Sequence, residues 1–325
     1  MRTRTKEPYR VLNWPEYNRA LINRGAIELW IDEETLKNWF DAHSGPRRAG
    51  RPRIYSNAAI QAILLMRIVF GVPYRAITGT MASLFRMMGV TLVIPHYTTL
   101  SRRLATLPIE LPGLSSPDEP LVLAIDSTGF KIYGEGEWKV RQHGVSKRRT
   151  WRKCHIVIDV KTLKIVALES TDNLTHDCEV AEELLERIPN PVQAFAADGA
   201  YDTAAIFRKL EERQCQPLIP PRENAVVWPL EIKGEPNPGA AQRNAILECI
   251  AKVGSEIWKK MSGYHCRSLV ENTMYRLKQL FGERLFSRRK EGDTQHNELL
   301  LRAYALNIWT DLGMPKSVPA FAAAA

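Results

Sequence analysis

The order of apolar segments between residues 121 and 221 constrains this chain most. "LVLAIDSTGFKIY" (121–133) is apolar and β-branched and reads as one strand. "KCHIVIDVKTLKIVALEST" (153–171) reads as two more, joined by a turn near Lys161–Lys164. "HDCEVAEELLERI" (176–188) has helical spacing, and "VQAFAADGAY" (192–201) is a short buried strand that runs into a loop. "DTAAIFRKLEERQ" (202–214) is again helical, and "CQPLIPP" (215–221) is a last short strand. Strands of this kind need cover on both faces, which the helices between them can supply.

Three strands, helix, strand, helix, strand is the order of an RNase H-like mixed sheet flanked by helices, so the expected class is α/β. Residues 1–54 read as an arm, a helix over Ile31–His43 and a basic linker. Residues 55–118 read as an all-α region of three helices. The first starts at a Ser cap and stops at Gly71, the second runs from Pro73 to Gly89, and the third follows Pro95. "PIELPGLSSPDEP" (108–120) marks a boundary by composition, residues 119–312 form the sheet-bearing domain, and 313–325 read as a flexible tail.

Within this frame three acids stand out. Asp126 in "LVLAIDSTG" and Asp198 in "AFAADGAYD" each follow an apolar run and precede a Gly-containing turn. A carboxylate there costs desolvation unless a cation meets it. The third is Glu271 in "YHCRSLVENTMYRLK" (264–278). On a helical wheel Tyr264, Arg267, Glu271 and Lys278 fall within about 60° of one another. Val270, Met274, Leu277 and Phe281 form the neighbouring core-facing stripe. One acid at a strand end is often a turn residue, but two on core strands plus a third at a helix edge point to a hard divalent cation. The sequence gaps, 72 and 73 residues, give no proximity by themselves.

These segments carry a family resemblance. "AIDSTG", "AADGAYD" and the spacing Tyr264-x2-Arg267-x3-Glu271-x6-Lys278 are similar to the signature segments of DDE transposases of the IS5 insertion-sequence family, in its IS903-like group. "YGEGEWKVRQHG" (133–144), "THDCEVAEELL" (175–185) and "NWPEYNRALINRGAIELWID" (13–32) resemble family text too, so the likeness spans residues 10–312. It implies that Asp126, Asp198 and Glu271 are a catalytic, metal-binding triad using Mg²⁺, with Mn²⁺ able to substitute. Arg267 and Lys278 could then hold DNA phosphates or orient the carboxylate, and Tyr264 could meet the DNA backbone. For Arg267 an i,i+4 ion pair with Glu271 is the plainer reading, and the two can coexist. Lys278, seven residues from Glu271, is assigned to a phosphate. Ser127 and Asn272, each beside an acid, are candidate supporting donors.

The charge balance suits a nucleic-acid partner. Lys plus Arg number 45 against 36 Asp plus Glu, a net charge of +9. "KVRQHGVSKRRTWRK" (139–153) holds seven cations and no acid, with Trp138 before it and Trp151 inside it. Trp138, Lys139, Arg141 and His143 are candidate DNA contacts, by stacking and phosphate binding. A solvated charge run, with Trp138 packed under a loop, is the alternative. "GRPR" around Arg51 and Arg53 resembles a minor-groove clamp, or is a basic linker. Thr98, Thr99, Arg102 and Arg103 on the third helix make the all-α region helix-turn-helix-like, with a plain bundle as the alternative. His176-Asp177 and Asp202 are read as helix caps. The five scattered cysteines fit reduced thiols better than disulfides or a zinc site, and no apolar run reaches membrane-spanning length.

The expectation is therefore a cytoplasmic, nucleoid-associated bacterial transposase. It binds terminal inverted repeats, cleaves at the element ends and joins the 3′-OH ends to target DNA. Cutting and joining two ends calls for a homodimer or larger assembly on DNA. The rivals are a metal-dependent RNase H-like nuclease without strand transfer, and a transposase-derived DNA-binding repressor.

Overall fold

The computed structural model describes residues 9–41, 54–113, 119–133, 150–288 and 293–319. The chain begins with β1 (Tyr9–Val11), α1 (Trp14–Asn23) and α2 (Glu33–Lys37). Three helices follow: α3 (Asn57–Val69), α4 (Tyr74–Met87) and α5 (Tyr97–Leu104). The Ser56 hydroxyl accepts from Ala59 N–H at 3.1 Å and so starts α3; Gly71, at φ +64°, ends it. Nine of the 13 residues of α3 are buried, including every one from Ala62 to Ile68, so it is a core helix rather than a surface one.

The sheet-bearing region supplies β2 (Leu121–Tyr133), β3 (Thr150–Asp159), β4 (Ile165–Thr171), α6 (Asp177–Glu186), β5 (Val192–Ala196), α7 (Ala204–Glu212) and β6 (Gln216–Leu218). These five strands make one mixed sheet in the order β4-β3-β2-β5-β6. β3 lies antiparallel to both β2 and β4, while β5 runs parallel to β2 and β6 parallel to β5. The chain continues through β7 (Glu231–Ile232) and β8 (Glu235–Pro236), α8 (Ala240–Val253), α9 (Ser255–Ser262), α10 (Ser268–Phe281), α11 (Thr294–Leu312) and β9 (Ser317–Pro319).

Alternation along β2 sorts its side chains between two cores. Leu121, Leu123 and Ile125 pack with residues of α6 and α7 on one face. Ala124, Phe130 and Ile132 pack with α10, α11 and α3 on the other. Asp126 shares the phase of Ala124 and Phe130, so it points to the α10 face. The helices before the sheet and one face of the sheet therefore share a single core. A buried ionic knot reinforces this joint: Arg302 of α11 donates to Glu298, Gly282 O and Arg284 O, and Glu298 accepts from Phe286 and Ser287 N–H. Arg67 of α3 stacks on Tyr74 and Phe286, at 4.0 and 4.6 Å from the ring centroids. Among the described residues no single helix is long and apolar enough to cross a bilayer, and no cysteine is in a disulfide.

Four expectations need correction. The segment read as an arm contains α1; its stripe is too polar to show in the sequence, and Asn13 ties its start to Met314 O and Lys316 N–H. Among the described residues, the helix expected over Ile31–His43 covers only Glu33–Lys37. Trp39 leaves the helical path to bury fully against Phe85, donating from Nε1 to Val93 O at 2.9 Å, and Phe40 bridges to Tyr55. The tail contributes β9, which pairs antiparallel with β1. Asp202 does not cap a helix: Thr203 caps α7, and Asp202 is bound by Arg243 instead.

Candidate active site and nucleic-acid interface

Asp126 lies in the middle of β2, opposite Ile156 of β3. Its Oδ1 accepts from the backbone N–H of Ser127 at 2.8 Å, so Ser127 acts through its main chain. Asp198 follows β5 and caps a 3₁₀ turn, Gly199–Tyr201, by accepting from Ala200 N–H at 2.9 Å. Asp126 thus lies within its strand rather than at the strand end expected, but the parallel ladder of β2 and β5 stops at Ala124 and Ala196, so both acids follow just beyond its last pair. Glu271 sits in the first turn of α10, whose buried face is Val270, Met274, Leu277 and Phe281, as the wheel requires. The turn before it, Tyr264–Arg267, is 3₁₀ rather than α and starts after Gly263 at φ +75°.

One guanidinium joins all three acids. Arg267 Nη1 donates to Glu271 Oε1 at 2.6 Å, and Nη2 donates to Asp126 Oδ2 at 3.0 Å. The same Nη2 lies 3.9 Å from Asp198 Oδ2, an ion pair without a hydrogen bond. Burial pushes the Asp126 carboxyl above the usual range; Ser127 N–H and Arg267 oppose that, and the Asp198 and Glu271 charges add to it. Burial alone would depress Arg267, but Asp126 and Glu271 outweigh it and hold the guanidinium more firmly charged.

The donor chemistry fits a hard divalent ion: three carboxylates from β2, the β5 loop and α10 surround one cationic centre. Among the described residues no three such groups are close enough to grip one ion as they stand. Arg267 lies among them, hydrogen-bonded to Asp126 and Glu271 and 3.9 Å from Asp198. Its Nε is a buried atom with no hydrogen-bond partner among the described residues.

The remaining candidates are dispersed. Tyr264 is half-buried and tilts against Trp258 at 5.7 Å, so much of its ring serves packing. The Lys278 ammonium lies 5.5 Å from the Phe130 ring centroid, on the Asp126 side of the sheet. Asn272 is exposed beside Glu271. On α5, Arg102 is exposed, and Thr98 bonds to the capping His96. Arg103 turns inward to donate to Tyr55 O and Asn57 Oδ1, bracing the start of α3. Thr99 is partly buried. Trp138, Lys139, Arg141, His143, Arg51 and Arg53 lie outside the described residues.

A second polar cluster behind the site was not legible as such. Asp177 receives Lys153 at 2.8 Å and lies 3.3 Å from His155 Nδ1, while His155 Nε2 meets the Thr171 hydroxyl at 2.9 Å. Burial pushes the His155 imidazole down to about 4. The fully buried Tyr201 phenol is raised first by burial, then by the charges of Asp177, Asp126 and Asp198. The available signal was Lys153 and His155 at a two-residue interval, which puts two polar groups on one face of an apolar strand.

A family model described as "Transposase DDE domain" matches residues 117–308, and a second with that description matches residues 22–135. Two solved structures are similar at low identity. One is the piggyBac transposase synaptic complex with hairpin DNA, at TM-score 0.38 and 11% identity over 90% of this chain and 75% of that one. The other is the Drosophila P element transposase strand transfer complex, at TM-score 0.31 and 14% identity over 84% and 70%.

Proposed function

The chain belongs to the transposase DDE-domain family, and from that premise we propose that it is the transposase of an IS5-type insertion sequence. In this reading the mixed sheet is RNase H-like, and the helices before it form a helix-turn-helix-like region that binds the terminal inverted repeats. The observation that carries the reading is the meeting of Asp126, Asp198 and Glu271 on Arg267, across sequence gaps of 72 and 73 residues.

Asp126, Asp198 and Glu271 would hold Mg²⁺, or Mn²⁺ in its place. When bound, such ions activate an attacking oxygen and stabilise a leaving one in phosphoryl transfer. Arg267 and Lys278 hold the non-bridging phosphate oxygens and orient the scissile group for in-line attack. In the first step a water oxygen bonds to phosphorus at the element end, the bond to the 3′ oxygen breaks, and that oxygen leaves as a 3′-OH. In the second, the 3′-OH oxygen bonds to a target phosphorus and the target's own 3′ oxygen leaves. Neither step forms a covalent bond to the protein. Two ends require two such sites, and hence a homodimer or larger assembly working on DNA in the cytoplasm.

The test joins a duplex carrying the terminal repeat with a free 3′-OH to a supercoiled target in Mg²⁺. Joined product is expected, and Asp126→Asn, Asp198→Asn and Glu271→Gln should each lower it about a thousandfold or more. Nicking without joining would replace this reading with a nuclease. DNA binding with no metal-dependent product would replace it with a repressor.

A further inference from the structure

We propose that Arg267 is a resident cation that keeps the three carboxylates assembled but closed to a divalent ion until it is displaced. The inference rests on the metal-binding reading of Asp126, Asp198 and Glu271 and goes beyond it, because it assigns a second state to the site.

The argument starts from charge. Three carboxylates drawn from separate segments repel one another unless a cation lies among them. In the free protein that cation is the guanidinium, 2.6 Å from Glu271, 3.0 Å from Asp126 and 3.9 Å from Asp198. It is hydrogen-bonded to one oxygen of each of two carboxylates and lies farther from the third. A divalent ion needs the same oxygens at much shorter range, about 2.0–2.1 Å for Mg²⁺. Drawing all three carboxylates that close to one ion leaves no room among them for the guanidinium, which must move out of the centre it now occupies.

Geometry supports a movable side chain. Arg267 is the N-cap of α10, at its joint with a short 3₁₀ turn that follows Gly263 at φ +75°, so its side chain leaves from the end of the helix rather than from its interior. Its Nε makes no hydrogen bond among the described residues, so the side-chain hydrogen bonds found there come from its two terminal nitrogens. A DNA phosphate offers the same paired-oxygen geometry as the carboxylates it would leave. Binding of ion and binding of phosphate are then linked through one side chain, and each favours the other.

The readout is ion affinity of the DNA-free protein, measured by Mn²⁺ titration calorimetry. Arg267→Gln should bind Mn²⁺ roughly tenfold more tightly than wild type, and Arg267→Lys, which keeps the charge but loses the fork, should fall between them. Equal or weaker binding by a folded Arg267→Gln protein would overturn the proposal. In wild type, the ¹⁵N resonance of Arg267 Nε should shift on Mg²⁺ addition; a resonance unmoved at saturating ion would overturn it even if Arg267→Gln failed to fold. Asp126→Asn/Asp198→Asn protein separates the two ideas: undiminished Mn²⁺ binding there would refute the metal-binding reading itself.

Discussion

Asp202→Ala should be among the most damaging single substitutions outside the site. Asp202 and Arg243 are 2% and 3% exposed at their side chains. The guanidinium donates from Nε at 2.6 Å and from Nη2 at 3.0 Å, and Arg222 N–H adds a third hydrogen bond at 3.1 Å. Arg243 also donates to Val226 O and stacks 4.0 Å over Trp228. The pair thus fastens the segment after β6 to the turn that carries Asp198. Truncating Asp202 leaves a buried cation without its counter-charge, which costs about 3–5 kcal/mol. Equilibrium urea unfolding followed by far-ultraviolet circular dichroism measures the loss. Asp202→Leu/Arg243→Met removes both charges and keeps the volume, so it should lose less than Asp202→Ala alone. A loss below about 1 kcal/mol for Asp202→Ala, or a double variant no better than the single one, would refute the assignment of the stabilisation to this charge pair.

Two further outcomes follow from buried groups. His155 takes up its proton near pH 4 in the folded protein and near pH 6.5 when unfolded, so its contribution is present above 6.5 and lost as pH falls toward 4. His155→Gln should flatten the dependence of unfolding free energy on pH in that window by about 1 kcal/mol per pH unit; a His155 resonance titrating near 6.5 in the native protein would contradict this. Gly239 lies at φ +82°, where an added Cβ would run into the backbone of Phe207 in α7. Gly239→Ala should therefore lower stability by about 1–3 kcal/mol in thermal unfolding, and a stabilised variant would show that α7 yields easily.

The sheet was legible because its strands differ from its helices in period and bounding residues: Leu121–Tyr133, Ile165–Thr171 and Val192–Ala196 all lie where apolar runs end at turns. The caps at Ser56 and Gly71 were legible for the same local reason. What depends on distant partners was not. Trp39 breaks a helical pattern only because Val93 O and Phe85 wait for it. Asp202 looks like a cap until Arg243, 41 residues on, is folded against it. The i,i+4 pair of Arg267 and Glu271 could be read from spacing, but its reach to Asp126, 141 residues away, needed the sheet.

The pairing of β1 with β9 has a consequence for the timing of synthesis. Tyr9–Val11 meets Ser317–Pro319, so more than 300 residues of chain are made between the two halves of one small sheet. At about 5–20 residues per second, the first strand waits roughly 15–60 seconds for its mate. During that interval the early helices, including the apolar α3, have neither this clasp nor the α11 surface they bury against. The nascent chain thus has a built-in vulnerable period, and a chaperone or a second growing chain would meet its apolar surface before the C-terminal segment does.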